Sequence, residues 1–172
     1  NIDFFNKNIL NIKNLLWNIN KIEIFSENLE NEKIFNFDNN QKILFSIVKN
    51  YKLNQIFFSS LKKNKFFKYK KKIRLINTKN YNLIINCDEN NLFTKKYFQK
   101  KLKKIYNSYA YTTIINHEKL KRNKTAMQIF TKLGPLAFLP MSNNKTSIVF
   151  SVFDRDLIKD NAKIGEAMYH SA

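Results

Sequence analysis

Glycine is nearly absent, with only Gly134 and Gly165 in 172 residues. That excludes a Gly-x-Gly-x-x-Gly dinucleotide fingerprint, which needs three glycines for a tight turn and close backbone approach to a pyrophosphate. One cysteine, Cys87, excludes an internal disulfide framework and any cysteine-based zinc site. Cys87 ends the apolar run Leu83–Asn86 and is expected to be a buried structural thiol. No apolar run reaches membrane-spanning length, and no signal peptide is visible. Acidic residues are scarce as well, 13 against 31 Lys and Arg, for a net charge of +18. The chain begins at Asn1 rather than Met, which reads as a processed terminus or a piece of a longer protein.

The positive charge has two readings. One is a polyanion partner, nucleic acid or an anionic membrane. The other is codon bias: Lys, Asn, Ile, Phe and Tyr are overused together, as a low-GC genome would produce. Arg is limited to Arg74, Arg122 and Arg155. Selection for phosphate binding would enrich Arg as well and gives no reason to enrich Asn and Ile. The composition therefore favours bias over a polyanion partner, nucleic acid or membrane. The densest basic run, Lys68–Lys72, is weak as a nucleic-acid or lipid patch: it lacks the interleaved Arg and repeated aromatics of a stacking surface and reads as a solvated strand end or linker.

What the chain does have is alternation. Residues 107–153 place β-branched and aromatic residues in short runs separated by polar or turn-forming residues, as consecutive antiparallel strands do. Gly134-Pro135 breaks one run. Ser142-Asn143-Asn144-Lys145 separates Leu136–Met141 from Thr146–Phe153, which predicts a hairpin whose Asn residues supply left-handed backbone. Pro140 belongs at an edge, a bulge or a strand end.

Upstream, Phe5, Ile9, Ile12 and Leu16 predict a helix over 2–17. Strands are expected at Lys21–Phe25, Ile34–Asp38 and Ile43–Val48, joined by polar links at 26–33 and 38–41. A helix with the face Leu53, Ile56, Phe57, Ser60 and Leu61 follows, then strands at Lys72–Ile76 and Tyr81–Asn86, and a helix over 94–104. Residues 154–172 read as the start of a further helix. His117 ends a strand, where a turn or surface role outweighs a catalytic base.

Phe130, Gly134-Pro135-Leu136-Ala137-Phe138-Leu139-Pro140 and Ser147-Ile148-Val149-Phe150-Ser151, with His117-Glu118 upstream, resemble a signature of FAD-dependent aromatic hydroxylases, in particular those of ubiquinone biosynthesis. Ile47–Leu53 resembles the family's segment re-entering the flavin domain, with Asn50 and Leu53 matching and Lys49 replacing Glu. Asp88 matches an Ala-Asp-Gly motif in which Glu89 stands for the Gly. The family's late Gly-Asp-Ala-Ala-His segment has no counterpart.

The resemblance implies an internal fragment of an α+β flavin-hydroxylase fold: an antiparallel substrate-domain sheet, helices on one side, and part of an FAD-domain sheet. Residues 1–45 and 106–172 would belong to the substrate domain and 46–105 to the flavin domain. It implies FAD, NAD(P)H and O2, with Asp88 and Asn50 as cofactor contacts and Gly134, Pro135, Leu136, Ala137, Leu139 and Pro140 lining the pocket for an aromatic quinone precursor. A flavin hydroperoxide would carry the oxygen transfer, so no metal or triad is required. It further implies a cytoplasmic protein, with peripheral inner-membrane or biosynthetic-complex association. The alternatives are a basic nucleic-acid-binding module and a degenerate, non-catalytic remnant.

Overall fold

The computed structural model describes residues 2–27, 32–38, 42–70, 80–88, 90–98, 102 and 104–153. The expected strand at Lys72–Ile76, the terminal helix after Phe153, Glu89, and parts of the links near 28–31 and 39–41 lie outside them. The fold is α+β, in two compact units. One comprises Asn1–Leu61 and Asn107–Ala172, the other Lys62–Tyr106.

The first unit is built on a six-stranded sheet of order β3-β2-β6-β7-β8-β5: β2 is Lys21–Ser26, β3 Lys33–Asp38, β5 Ser108–Asn116, β6 Thr125–Thr131, β7 Gly134–Ser142 and β8 Lys145–Phe153. All neighbours are antiparallel except β2 and β6, which run parallel. The sheet is therefore mixed and not purely antiparallel as expected. Parallel neighbours need a long connection, here the chain between Ser26 and Thr125, and such non-local pairing leaves no mark on local alternation. A second sheet pairs β1, Leu16–Ile19, with β4, Phe45–Val48. Both β1 and β4 lie against β7.

Burial in β8 alternates strictly: Thr146, Ile148, Phe150 and Val152 are buried, and the residues between them are not. Leu136, Ile148, Phe150 and Val152 form the core cluster, with Tyr111, Ile115, Leu133 and Phe138 packed around it. Each such apolar side chain contributes about 1.5–3 kcal/mol on full burial.

The β6–β7 turn is Lys132-Leu133, two residues earlier than the Gly-Pro break suggested. The Thr131 hydroxyl holds it, donating to the Gly134 carbonyl at 2.7 Å and accepting from Gly134 N at 3.2 Å. Gly134 has φ +143°, and a Cβ there would overlap the Ser151 carbonyl oxygen on β8. Pro140 sits at a bulge, where the β7–β8 register shifts between Pro140 and Ser142. Asn143 and Asn144 do not adopt positive φ; among described non-glycine residues only Asn107 does, just before β5. The bulge and the Ser142 hydroxyl, which donates to Asn144 Oδ1 at 2.8 Å, shape that turn instead.

The first helix, α1, is Ile2–Asn8 and stops well short of Trp17. Leu10 N bonds back to Phe5 O, and the Asn6 side chain accepts from Ile12 N at 2.9 Å, so the chain leaves the helix there. A 3-10 turn, Lys13–Leu15, then leads into β1, and Trp17 is a strand residue whose Nε1 donates to Asn123 O at 2.7 Å. The second helix, α2, Asn50–Lys62, stacks Phe57 on Phe5 of α1 at 5.9 Å. Its expected apolar face is half-buried at Leu53, Ile56 and Phe57, while Ser60 and Leu61 are exposed.

In the second unit, α3 is Leu92–Tyr97, ending at Phe98, while 99–101 and 103 of the expected 94–104 helix lie outside the described residues. Asn91 caps it, its side chain accepting from Thr94 N at 2.9 Å. Tyr81–Asn86 is not a strand: no described segment pairs with it, and Leu83 and Ile85 are exposed. Cys87 is exposed as well, contrary to the buried thiol expected, because the segment carrying it has no ladder and no covering layer among the described residues.

Candidate functional site

A strand presents alternate residues to opposite faces, and this divides the expected pocket. On β7, Leu136 and Pro140 are buried on the core side, which Gly134 shares, next to Ile148 and Phe150. Leu136 has no exposed surface, so it cannot touch a ligand. Pro135, Ala137 and Leu139 project from the opposite face and are half-buried. The structure thus brings three of the six expected pocket residues to one accessible face.

The pairing register shows what flanks them. Gln128 lies opposite Ala137 and Phe130 opposite Pro135 on β6, while Val149 faces Ala137 and Ser147 faces Leu139 on β8. Across β6, Ile22 and Ile24 on β2 pair with Ala126 and Gln128, and they pair in turn with Phe37 and Phe35 on β3. These residues share one face. It is apolar, with three exposed rings: Phe130 (45 %), Phe35 (58 %) and Phe37 (51 %). The Phe35 and Phe37 rings stack with centroids 6.3 Å apart. Gln128 and Ser147 supply hydrogen-bonding groups beside Ala137 and Leu139. Such an array can hold a flat ring by stacking and orient a ring hydroxyl. Gln128, Phe35 and Phe37 escaped the sequence reading, because nothing local indicates that β2, β3 and β6 adjoin.

His117 lies in a different network. Its Nδ1 donates to the Glu118 carbonyl at 2.8 Å, which makes Nε2 the acceptor of the neutral ring, 3.1 Å from Thr146 Oγ1. Asn123, buried, donates from Nδ2 to Ser142 O at 2.8 Å and lies 3.3 Å from Thr146 Oγ1. His117 N and Leu120 N bond to Asn144 O and Asn143 O. The ring therefore latches the 117–124 loop to the β7–β8 turn, and both its nitrogens are engaged.

The expected cofactor contacts, Asn50 and Asp88, fall in different units. Asn50 is exposed at the start of α2 in the first unit. In the second unit, Asp88 Oδ1 accepts from Asn90 N at 2.9 Å within its own turn. Thr94 Oγ1 donates to Asp88 O at 2.6 Å and Asn86 Nδ2 donates to Thr94 Oγ1 at 2.7 Å, so the cluster is occupied by its own members. No glycine lies in 80–98 to let backbone approach a pyrophosphate. Among the described residues no group of His, Cys, Asp and Glu could hold a metal ion.

No known protein-family profile matches this chain, and no curated protein matches it. Function is therefore read from the residues themselves.

Elsewhere on β2, Glu23 takes ion pairs from Lys33 at 2.5 Å and Lys21 at 3.0 Å. The Lys33 hydrogen bond, then that of Lys21, holds its carboxyl below the usual range, and Glu23 in turn raises the Lys21 ammonium. No helix among the described residues is long and apolar enough to cross a membrane.

Proposed function

We propose that this chain is part of an FAD-dependent aromatic-ring hydroxylase resembling those of ubiquinone biosynthesis, and that its share of the work is to hold the ring. The observation that carries the reading is the division of β7: the motif residues Pro135, Ala137 and Leu139 lie on an accessible apolar face beside Phe130, Gln128, Val149 and Ser147. Two motif segments distant in sequence, Gly134–Pro140 and Ser147–Ser151, are adjacent strands in register. The substrate class is an electron-rich ring bearing a hydroxyl and an apolar tail, a quinone precursor. Stacking and exclusion of water by the phenylalanines would fix the ring plane, and Gln128 or Ser147 would accept or donate at its hydroxyl.

FAD and NAD(P)H belong to the same proposal, since ring hydroxylation with O2 needs a redox cofactor. Asp88 and Asn50 do not by themselves fit a flavin: one carboxylate oxygen is committed to a turn, and no glycine stands beside it. Cytoplasmic placement, peripheral to the inner membrane, fits a tailed quinone-precursor substrate.

Equilibrium dialysis against a prenylated phenol tests the reading. Saturable uptake that Leu139→Lys abolishes, with the fold retained by circular dichroism, supports it. Absence of saturable uptake, or uptake indifferent to Leu139→Lys, rejects it.

A further inference from the structure

The six-stranded sheet has two edges, β3 and β5, and they differ. β3 begins with Lys33 and ends with Asp38, and its register with β2 shifts between Ile24 and Phe25. Charges and bulges of this kind blunt an edge against pairing with another chain. β5 has neither. Its nine residues, Ser-Tyr-Ala-Tyr-Thr-Thr-Ile-Ile-Asn, include no charge and no proline, in a chain that is 26 % charged. Its register with β8 runs unbroken from Ser108 to Asn116. Such uncharged composition marks the interior strands β6 and β7, so β5 is an edge written like an interior strand.

This edge is open. Seven of the nine residues are exposed, Tyr109 and Ile114 each by 54 %. Among the described residues β8 alone pairs with β5. In an antiparallel ladder every second residue turns its N–H and C=O away from the partner strand, so the outer side of β5 presents a row of donors and acceptors. A long, regular, uncharged and exposed edge is a template for a further strand.

We propose that β5 pairs with β5 of a second copy of this chain, antiparallel about a two-fold axis, so that two six-stranded sheets join into one. An axis normal to the sheet keeps like faces together, and a residue then pairs with one an even number of positions away. Full overlap puts Thr112 on the axis, opposite itself. Tyr111 meets Thr113, Ala110 meets Ile114, Tyr109 meets Ile115 and Ser108 meets Asn116. Aromatic–β-branched and Thr–Thr pairs stabilise neighbouring strands, and no like charges meet. The occupant follows from charge. A foreign partner of a chain with net charge +18 would be steered by acidic residues, which find nothing to meet on β5. A second copy needs a strip free of charge on both sides, and β5 supplies it. Such a pair closes at two, because it uses up β5 and leaves only the blunted β3 edge. The inference rests on the sheet edge and is independent of the ring-binding face.

Sedimentation equilibrium of the whole chain tests it. The expected result is a monomer–dimer equilibrium that strengthens as salt is raised, since salt screens the repulsion between two copies of charge +18. Thr112→Lys and Thr112→Glu each set like charges face to face and should weaken the dimer by about fivefold or more. Mixed one to one, the two variants should pair at least as tightly as the unaltered chain, because the axis position then carries opposite charges. Thr112 is exposed, and circular dichroism checks that each variant keeps the fold. A monomer at every concentration up to about 1 mM, growth beyond two copies, or a mixture that pairs no more tightly than either variant alone would each overturn the proposal.

Discussion

Replacing Gly134 by alanine probes the sheet where it is least tolerant. Gly134 holds φ at +143°, and an added Cβ would overlap the Ser151 carbonyl oxygen, with Ser151 C at 3.1 Å and Val152 Cα at 3.7 Å. The atoms in the way are backbone of β8, which pairs with β7 on one side and β5 on the other. They cannot withdraw without opening a ladder. Positive φ costs a side-chain-bearing residue about 1–3 kcal/mol, and overpacking adds about 1–3 kcal/mol. Together these predict a loss of about 2–6 kcal/mol, a fall in Tm of roughly 5–20 °C for a chain of this size. Urea or thermal unfolding followed by far-UV circular dichroism reads it directly. The sign is diagnostic, because Gly→Ala at an unstrained site stabilises by about 0.4–1 kcal/mol. Ser151→Ala should not rescue the variant, since the obstruction is main chain. An unchanged or raised Tm would refute both the positive φ and the strand approach.

Other perturbations follow from named contacts. Thr146→Val removes the hydroxyl that lies within reach of His117 Nε2 and Asn123 Nδ2 and should cost about 1–3 kcal/mol, while Thr146→Ser should stay near wild type in the same unfolding experiment. Trp17→Phe deletes the indole N–H bond to Asn123 O and should cost about 1 kcal/mol in urea unfolding. Glu23 has its folded pKa lowered by Lys33 and Lys21, so its stabilising effect is present above the unfolded pKa and is lost as pH falls through the lower folded value. With both lysines solvent-facing, 31 % and 40 % exposed, that effect should stay under about 1 kcal/mol. Glu23→Gln should flatten the stability profile on the acid side of the usual carboxylate range and leave its shape near neutrality unchanged. The purified chain should show no stoichiometric flavin band in its visible spectrum, and such a band would contradict the account of Asp88 and Asn50.

The β6–β7–β8 meander was legible because its boundaries are written in local chemistry. Gly134-Pro135 lies just past the first turn and Ser142–Lys145 spans the second, and Pro140, expected at an edge, a bulge or a strand end, sits at a bulge. The α1 boundary was not, because the period Phe5-Ile9-Ile12-Leu16 looks helical while the Asn6 side chain diverts the chain before Ile12. Tyr81–Asn86 has strand-forming residues yet lies in no ladder among the described residues; propensity describes fit to a sheet and does not supply one. The His117–Asn123–Thr146 latch was invisible for another reason. Asn123 sits in a polar loop that reads as solvated, and only the fold buries it against Ser142 and Thr146. Likewise the expected pocket included Leu136 and Pro140 because the resemblance carries the motif over as one continuous run, which takes no account of the two-residue period that turns them into the core.

Amide chemical-shift mapping during titration with a prenylated phenol tests the ring-holding role most directly. Saturable shifts centred on Gln128, Phe130, Ala137, Leu139 and Val149 are the predicted result. Shifts confined to 62–106, or none that saturate, would contradict it.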